Sequence, residues 1–195
     1  MQVGGLLPCV KAAASGVGLP LTVSLADGGF STSAAALLDA HVILIYTGKT
    51  RLARDLLQRV LRQWALRDNG VTSLVRSLRE NAQRASDAVR QGSALALGSA
   101  VDTYWAQKKA MAPGAEPEAA ASIIAVLRAA GAITGASLAG AGGGGFLVAI
   151  ASTPGGNAVG TIEAVLRSHP ATAGMGWSVH AASVDRGGLT VVVDA

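Results

Sequence analysis

Apolar residues at Leu52, Leu56, Leu57, Val60, Leu61 and Trp64 recur at helical spacing, with Arg51, Arg54, Arg59 and Arg62 on the other faces. That pattern predicts an amphipathic helix. The same period returns at Val71, Leu74, Val75, Leu78, Ala82, Ala85 and Val89, predicting a second helix closed by Gly92. Asp68-Asn69-Gly70 separates the two, with Asn69 or Thr72 as the expected cap of the second. A third helix is expected from about Ser93 to Met111, presenting Leu97, Val101, Tyr104 and Trp105 on one face and stopped by Pro113-Gly114. Pro117 suits the first turn of a fourth, reaching about Ala130.

Short apolar runs predict the strands. Leu21–Leu25 and Val42–Tyr46 are two of them, joined by a Gly/Ser-rich connection at Ala26–Ser33. The second is unbroken and fits a buried position. After the fourth helix a glycine-rich stretch leads into a strand at Phe146–Ala151, then a helix from about Asn157 to Ser168 ended by Pro170. Trp177–Val184 and Leu189–Asp194 follow as strands, with Arg186-Gly187-Gly188 as a hairpin turn. The order β-β-α-α-α-α-β-α-β-β predicts an α+β fold, with helices packed on one face of a mainly antiparallel sheet.

Composition narrows the class. The 195 residues fit one domain, and with 4% aromatics its core is built from Leu, Val, Ile and Ala. Met1 is followed by no basic and apolar leader, so no secretory signal is expected. A single cysteine, Cys9, forms no internal disulfide, which agrees with a reducing, cytoplasmic setting. The most apolar 20-residue stretch, Gly131 to Ile150, is interrupted by seven glycines. Its large side chains gather only at Phe146–Ile150, too few to cross roughly 30 Å of hydrocarbon, so no membrane association is expected. Of the sixteen basic residues behind the net charge of +4, nine lie between Arg51 and Arg90. They read as the solvated face of two helices. With almost no aromatics among them, a nucleic-acid partner is not expected.

Ser137 to Phe146 is the most informative segment, with glycines at 140 and 142–145. Glycines crowd where a backbone adopts positive φ or approaches a ligand, and their unshielded N–H groups can cradle phosphate oxygens. Gly140-x-Gly142-x-x-Gly145 matches the dinucleotide fingerprint in form only, because that motif follows a strand and opens a helix. Here the glycines precede a strand. A flexible linker is the bland alternative, opposed by Leu138 and Phe146, which are expected to anchor both ends in a core. Gly48-Lys49-Thr50 imitates the end of a P-loop, but Ile43 stands where that motif needs glycine. The segment still follows a strand and opens a helix, where anions are favoured. Lys108 and Lys109 end a helix and read as offsetting its dipole. His41, His169 and His180 have no ligand spacing, and His169 is expected at a helix C-terminus. Cys9 has no activating neighbour.

The glycine-rich loop is similar to the third signature motif of the GHMP kinases. Three further segments resemble the L-fucokinase family within that superfamily. Met1-Gln2-Val3-Gly4-Gly5-Leu6 looks like the end of its Gly-Gly-Trp-Gln-Asp-Gln-Val-Gly-Gly motif. Val42 to Arg54, containing Tyr46-Thr47-Gly48-Lys49-Thr50-Arg51, looks like its strand-to-helix motif. Trp105 to Gly114 looks like its Trp-x-x-Lys-Lys-x-Met-x-Pro-Gly segment. The resemblance implies a ferredoxin-like GHMP C-terminal domain over residues 41–195, with 1–40 as the end of the N-terminal half plus a connection.

It also implies transfer of the ATP γ-phosphate to L-fucose, with Mg²⁺ bridging the phosphates and its protein ligands outside this chain. Gly140, Ala141, Gly142, Gly143, Gly144 and Gly145 would shape the phosphate pocket. Gln2, Val3, Gly4, Gly5, Thr47, Gly48 and Arg51 would border the sugar. Related heptose kinases carry a similar Tyr-Thr-Gly segment. In the family's motif an aspartate precedes the glutamine matched by Gln2, and here Met1 occupies that position. The first two signature motifs, with the principal phosphate loop, have no counterpart in the 195 residues. The expectation is a chain inactive alone that binds the N-terminal half or itself. A non-catalytic interaction module is the alternative.

Overall fold

The computed structural model describes residues 31–49, 54–140 and 142–186, with backbone only at 54–57. In chain order the elements are α1 (Thr32–His41), β1 (Val42–Tyr46), α2 (Arg54–Ala65), α3 (Asn69–Arg90), α4 (Ala94–Met111), α5 (Glu118–Ala129), β2 (Ile133–Leu138), β3 (Phe146–Ala151), α6 (Ala158–Ser168), a short 3₁₀ turn (Pro170–Thr172) and β4 (Ser178–Ala181). The strands form one sheet in the order β2-β3-β1-β4, every neighbour antiparallel. β1, α5, β2 and then β3, α6, β4 make two interleaved split β-α-β units, the ferredoxin-like arrangement, with α2 to α4 inserted in the first.

Alternation along the strands sorts the core into two clusters. Ile43 and Ile45 of β1, with Leu147, Ala149 and Ala151 of β3, face α5 and α6, where Ile123, Leu127, Ile162 and Leu166 are almost fully buried. Each such side chain contributes roughly 1.5–3 kcal/mol by leaving water. Val42 and Ile150 point the other way, into a smaller cluster with Ala34, Leu37, Leu38, Val89 and Leu97. The expected one-face packing therefore describes α5 and α6, and α1, α3 and part of α4 add a second layer across the sheet.

Helix α4 lies along the free edge of β2. Its Asp102 carboxylate accepts the outward Ala136 N–H at 2.8 Å and also meets Arg128 of α5 at 2.6 Å. A helix laid on an edge strand in this way hides part of its ladder from another chain. The approach is close enough that a Cβ on Gly135 would lie 2.0 Å from the Gly98 carbonyl oxygen. On its other side α4 packs on α3, where buried Asn81 donates to the Ala100 carbonyl at 2.8 Å.

Several expectations change. α1 went unread, as did β2, whose sequence ITGASL is made mostly of small residues. Asp68, and neither Asn69 nor Thr72, caps α3 by accepting from Val71 N. Leu97, Val101, Tyr104 and Trp105 do not share one face: Leu97 and Val101 join the smaller cluster, Trp105 the larger, and Tyr104 is exposed. β4 stops at Ala181 because pairing with β1 ends there. The strands expected at Leu21–Leu25 and Leu189–Asp194, and the glycines of the turn between Arg186 and Leu189, lie outside the described residues. Among the described residues no helix is long and apolar enough to cross a membrane.

Candidate functional site: the glycine loop

The β2–β3 hairpin turns through the glycines, and three separate elements hold that turn. Ala139 N–H donates to the Phe146 carbonyl at 2.8 Å and closes its base. Fully buried Thr47, just after β1, donates its N–H to the Gly145 carbonyl at 2.9 Å and shares its hydroxyl proton between Gly145 O (3.0 Å) and Lys49 O (3.2 Å). Gly145 N–H returns a bond to Lys49 O at 2.8 Å. From the α4–α5 connection, Ala115 O accepts from Gly143 N–H at 2.9 Å. The loop is seated, and a linker reading is excluded.

Its conformation needs glycine. Gly140, Gly142, Gly143, Gly144 and Gly145 all have φ between 66° and 138°, where a Cβ is strained. The N–H groups also divide into two sets. Those of Gly143 and Gly145 tie the loop to the domain, whereas those of Gly142 and Gly144 donate to no acceptor among the described residues. Gly142 is buried and Gly144 half-buried, and unpaired backbone N–H groups of a glycine turn are of the kind that can take an anion.

Lys108 sits beneath the loop. Its Nζ donates to the Leu138 carbonyl at 3.0 Å and to the Gly140 carbonyl, and lies 5.6 Å from the Tyr104 ring centroid and 5.4 Å from that of Trp105. Burial of the ammonium pushes its pKa below the usual lysine range. Lys109 goes elsewhere, pairing with Glu116 at 3.0 Å, and the same carboxylate accepts from buried Trp105 Nε1 at 2.7 Å. Both lysines stand in the last turn of α4, where the dipole favours them, and each also has its own partner. One reaches the loop and the other braces the turn that carries Ala115.

Of the residues singled out from sequence, the structure brings together Thr47, Gly48, Gly140 and Gly142–Gly145. Gly48, at φ 77°, abuts the turn at Met175, whose carbonyl oxygen would lie 1.9 Å from an added Cβ. Leu138 is buried as expected, but Phe146 is 42% exposed. Its ring lies 5.3 Å from Tyr46 and 5.9 Å from His180 on the sheet surface, because residue 146 alternates away from core-facing Leu147. His169 accepts from Ala171 N–H and so caps the 3₁₀ turn. Gln2, Val3, Gly4, Gly5, Thr50, Arg51 and Ala141 lie outside the described residues. Among the described residues no group of three or more His, Cys, Asp or Glu is placed to hold a metal ion.

Residues 76–167, which run from α3 through the glycine loop to α6, match the family described as GHMP kinases C terminal. The chain carries a GHMP kinase C-terminal domain. Over 156 residues this GHMP domain and its flanks are 32% identical to the L-fucokinase/L-fucose-1-P guanylyltransferase of Bacteroides fragilis, covering 78% of this chain and 16% of that protein. Over 150 residues they are 27% identical to the bifunctional fucokinase/GDP-fucose pyrophosphorylase of Arabidopsis thaliana, covering 77% and 14%. The chain thus spans less than a fifth of the length of these curated relatives. A crystal structure of L. major mevalonate kinase in complex with R-mevalonate shares the fold, with a TM-score of 0.59, 19% identity, and coverage of 69% of this chain and 40% of that one.

Proposed function

We propose that this GHMP domain is the C-terminal part of an ATP-dependent kinase that phosphorylates L-fucose at its anomeric hydroxyl. The sugar oxygen bonds to the γ-phosphorus, the bridge to ADP breaks, and fucose 1-phosphate forms. The fucokinase activity named in both curated relatives supports the substrate. The observation that carries the reading is the reciprocal bonding of Thr47, Lys49 and Gly145, which joins the glycine loop to the Tyr46-Thr47-Gly48 segment.

Phosphoryl transfer is mostly positioning and charge stabilisation. In this reading the unpaired amides of Gly142 and Gly144 bond to phosphate oxygens, with Gly140, Ala141, Gly143 and Gly145 shaping that wall. Thr47, Gly48 and Arg51 border the sugar together with Gln2, Val3, Gly4 and Gly5. The group that takes the sugar's proton, and the principal phosphate loop, come from the kinase's N-terminal half. Exposed Leu61, Trp64 and Leu66 on and after α2 support docking of that half. The work is placed in the cytoplasm, where the nucleotide is.

A coupled assay with fucose, ATP and Mg²⁺ tests this. The 195-residue chain alone is expected to show no turnover, and adding a separately made N-terminal half to restore it, with fucose preferred over a heptose. Turnover by the chain alone near that of a complete kinase overturns the division of labour, and a heptose preference overturns the substrate.

A further inference from the structure

We infer that Lys108 is a positioning residue for the glycine loop, holding the Leu138 and Gly140 carbonyls so that the amides beyond them stay turned toward an incoming phosphate. The inference rests on the phosphate role proposed for that loop. The hairpin is tied down on one flank by Thr47 and Lys49, and at its tip by Ala115. The opposite flank, where β2 runs out, has Lys108 as its tether, through two carbonyls two residues apart. Turning these carbonyls toward one ammonium fixes the peptide planes at the entry to the loop, ahead of the unpaired amides of Gly142 and Gly144.

Charge explains why this residue is a lysine. The Leu138, Gly140, Ala115, Lys49 and Gly145 carbonyls all accept hydrogen bonds from within the domain, and among the described residues only Leu138 and Gly140 of these five accept from a charged donor. A charged donor makes the shorter and stronger bond, and it places positive charge beside the proposed phosphate position. Among the described residues Lys108 has no carboxylate partner, since Glu116 is taken by Lys109 and Trp105. Its positive charge is therefore spent on the loop alone. The buried Trp105 ring and the exposed Tyr104 ring flank the ammonium without neutralising it.

The test uses the 195-residue chain, with ATP as probe and amide resonances and hydrogen exchange as readouts. In Lys108→Met the hydrogen-bonded loop amides of Ala139, Gly143 and Gly145 are expected to exchange about tenfold faster, the effect of losing one to two charge-assisted hydrogen bonds. Those of α5 and α6 should not change. Millimolar ATP should shift the Gly142 and Gly144 amides of the wild type, at least fivefold more weakly in Lys108→Met. Lys108→Arg, which keeps charge and donors, should recover most of both effects, and Lys109→Met should reproduce neither.

Unchanged loop exchange in Lys108→Met overturns the inference and leaves the phosphate role standing. So does faster exchange with an unaltered ATP response, which would make Lys108 a strut only. A wild type that ignores ATP removes the phosphate role and the inference with it. Should Lys108→Met not fold, the wild type decides alone: ATP must shift the Lys108 Nζ resonance together with the glycine amides, and glycine shifts with a silent Nζ overturn the proposal.

Discussion

Helices α2 and α4 reverse what their sequences lead one to expect. α2 carries a clear apolar stripe between arginines, yet none of residues 58–65 is buried, and Leu61 and Trp64 are 57% and 50% exposed. α4 is expected to present Leu97, Val101, Tyr104 and Trp105 as one apolar face, and the structure splits them between two clusters and solvent. Its apolar positions spread around the helix, among Gly98, Ser99, Asp102 and Thr103, and it is nonetheless wedged between a strand edge and α3. Amphipathy reports that a helix has something to cover. It does not say that the covering surface belongs to the same domain. Close packing through glycine, by contrast, leaves almost no periodic signal, because its sign is a missing side chain.

The sharpest way to break this contrast is at the joint between α4 and β2. Gly135→Ala places a methyl 2.0 Å from a backbone carbonyl of α4, and neither the helix nor the strand has a flexible side chain that can yield. Overpacking of this kind is expected to cost about 3 kcal/mol or more, with α4 lifted from the edge. Gly98→Ala meets Thr134 from the other side, at 2.1 Å from its Oγ1 and 2.7 Å from its backbone carbon, and should behave alike. Denaturant midpoints within about 1 kcal/mol of wild type for both would show that the helix does not approach as described.

A smaller effect is expected from Asp102→Ala. The substitution leaves the joint's backbone contact intact but strips the Ala136 N–H of its acceptor and Arg128 of its partner. The unsatisfied N–H dominates, since the ion pair is half exposed and contributes little, and a loss of roughly 2 kcal/mol follows. Asp102→Asn keeps an acceptor oxygen and should recover most of it. Equal losses for Ala and Asn would place the energy in the ion pair instead.

The same physics explains what could be read in advance. Long elements with capping residues and clear stops, α3 to α6, were legible, as was β1 from its unbroken apolar run and β3 from its own. β2 was not, because Gly135 is small for the sake of α4, Ala136 and Ser137 beside it are small too, and smallness in a glycine-rich neighbourhood reads as loop. α1 was missed because Ser31, its cap, sits inside a Gly/Ser-rich run that looks like a connection. For the site, positive φ and phosphate-cradling character were legible in the glycines themselves. The partnership of Thr47 with Gly145 spans 98 residues, and only the strand order β2-β3-β1 brings them together. Lys108 was hidden for the opposite reason. A lysine at a helix C-terminus has a sufficient local explanation, and nothing local distinguishes it from Lys109.

The smallest effect is expected where the sequence pattern is strongest. Trp64→Ser on α2 removes one of the largest side chains in the chain, and in a buried helix such a change costs about 3–5 kcal/mol. Here half of that surface already faces solvent, and the helix makes few contacts beyond α3, so the loss should stay within about 0.5 kcal/mol. Its consequence belongs to association. Exposed apolar stripes draw partners, so light scattering should show less self-association of Trp64→Ser than of wild type, and the N-terminal half should bind the variant more weakly. A loss of several kcal/mol in the isolated chain would mean that Trp64 has a partner within this domain, and the contrast between α2 and α4 would disappear.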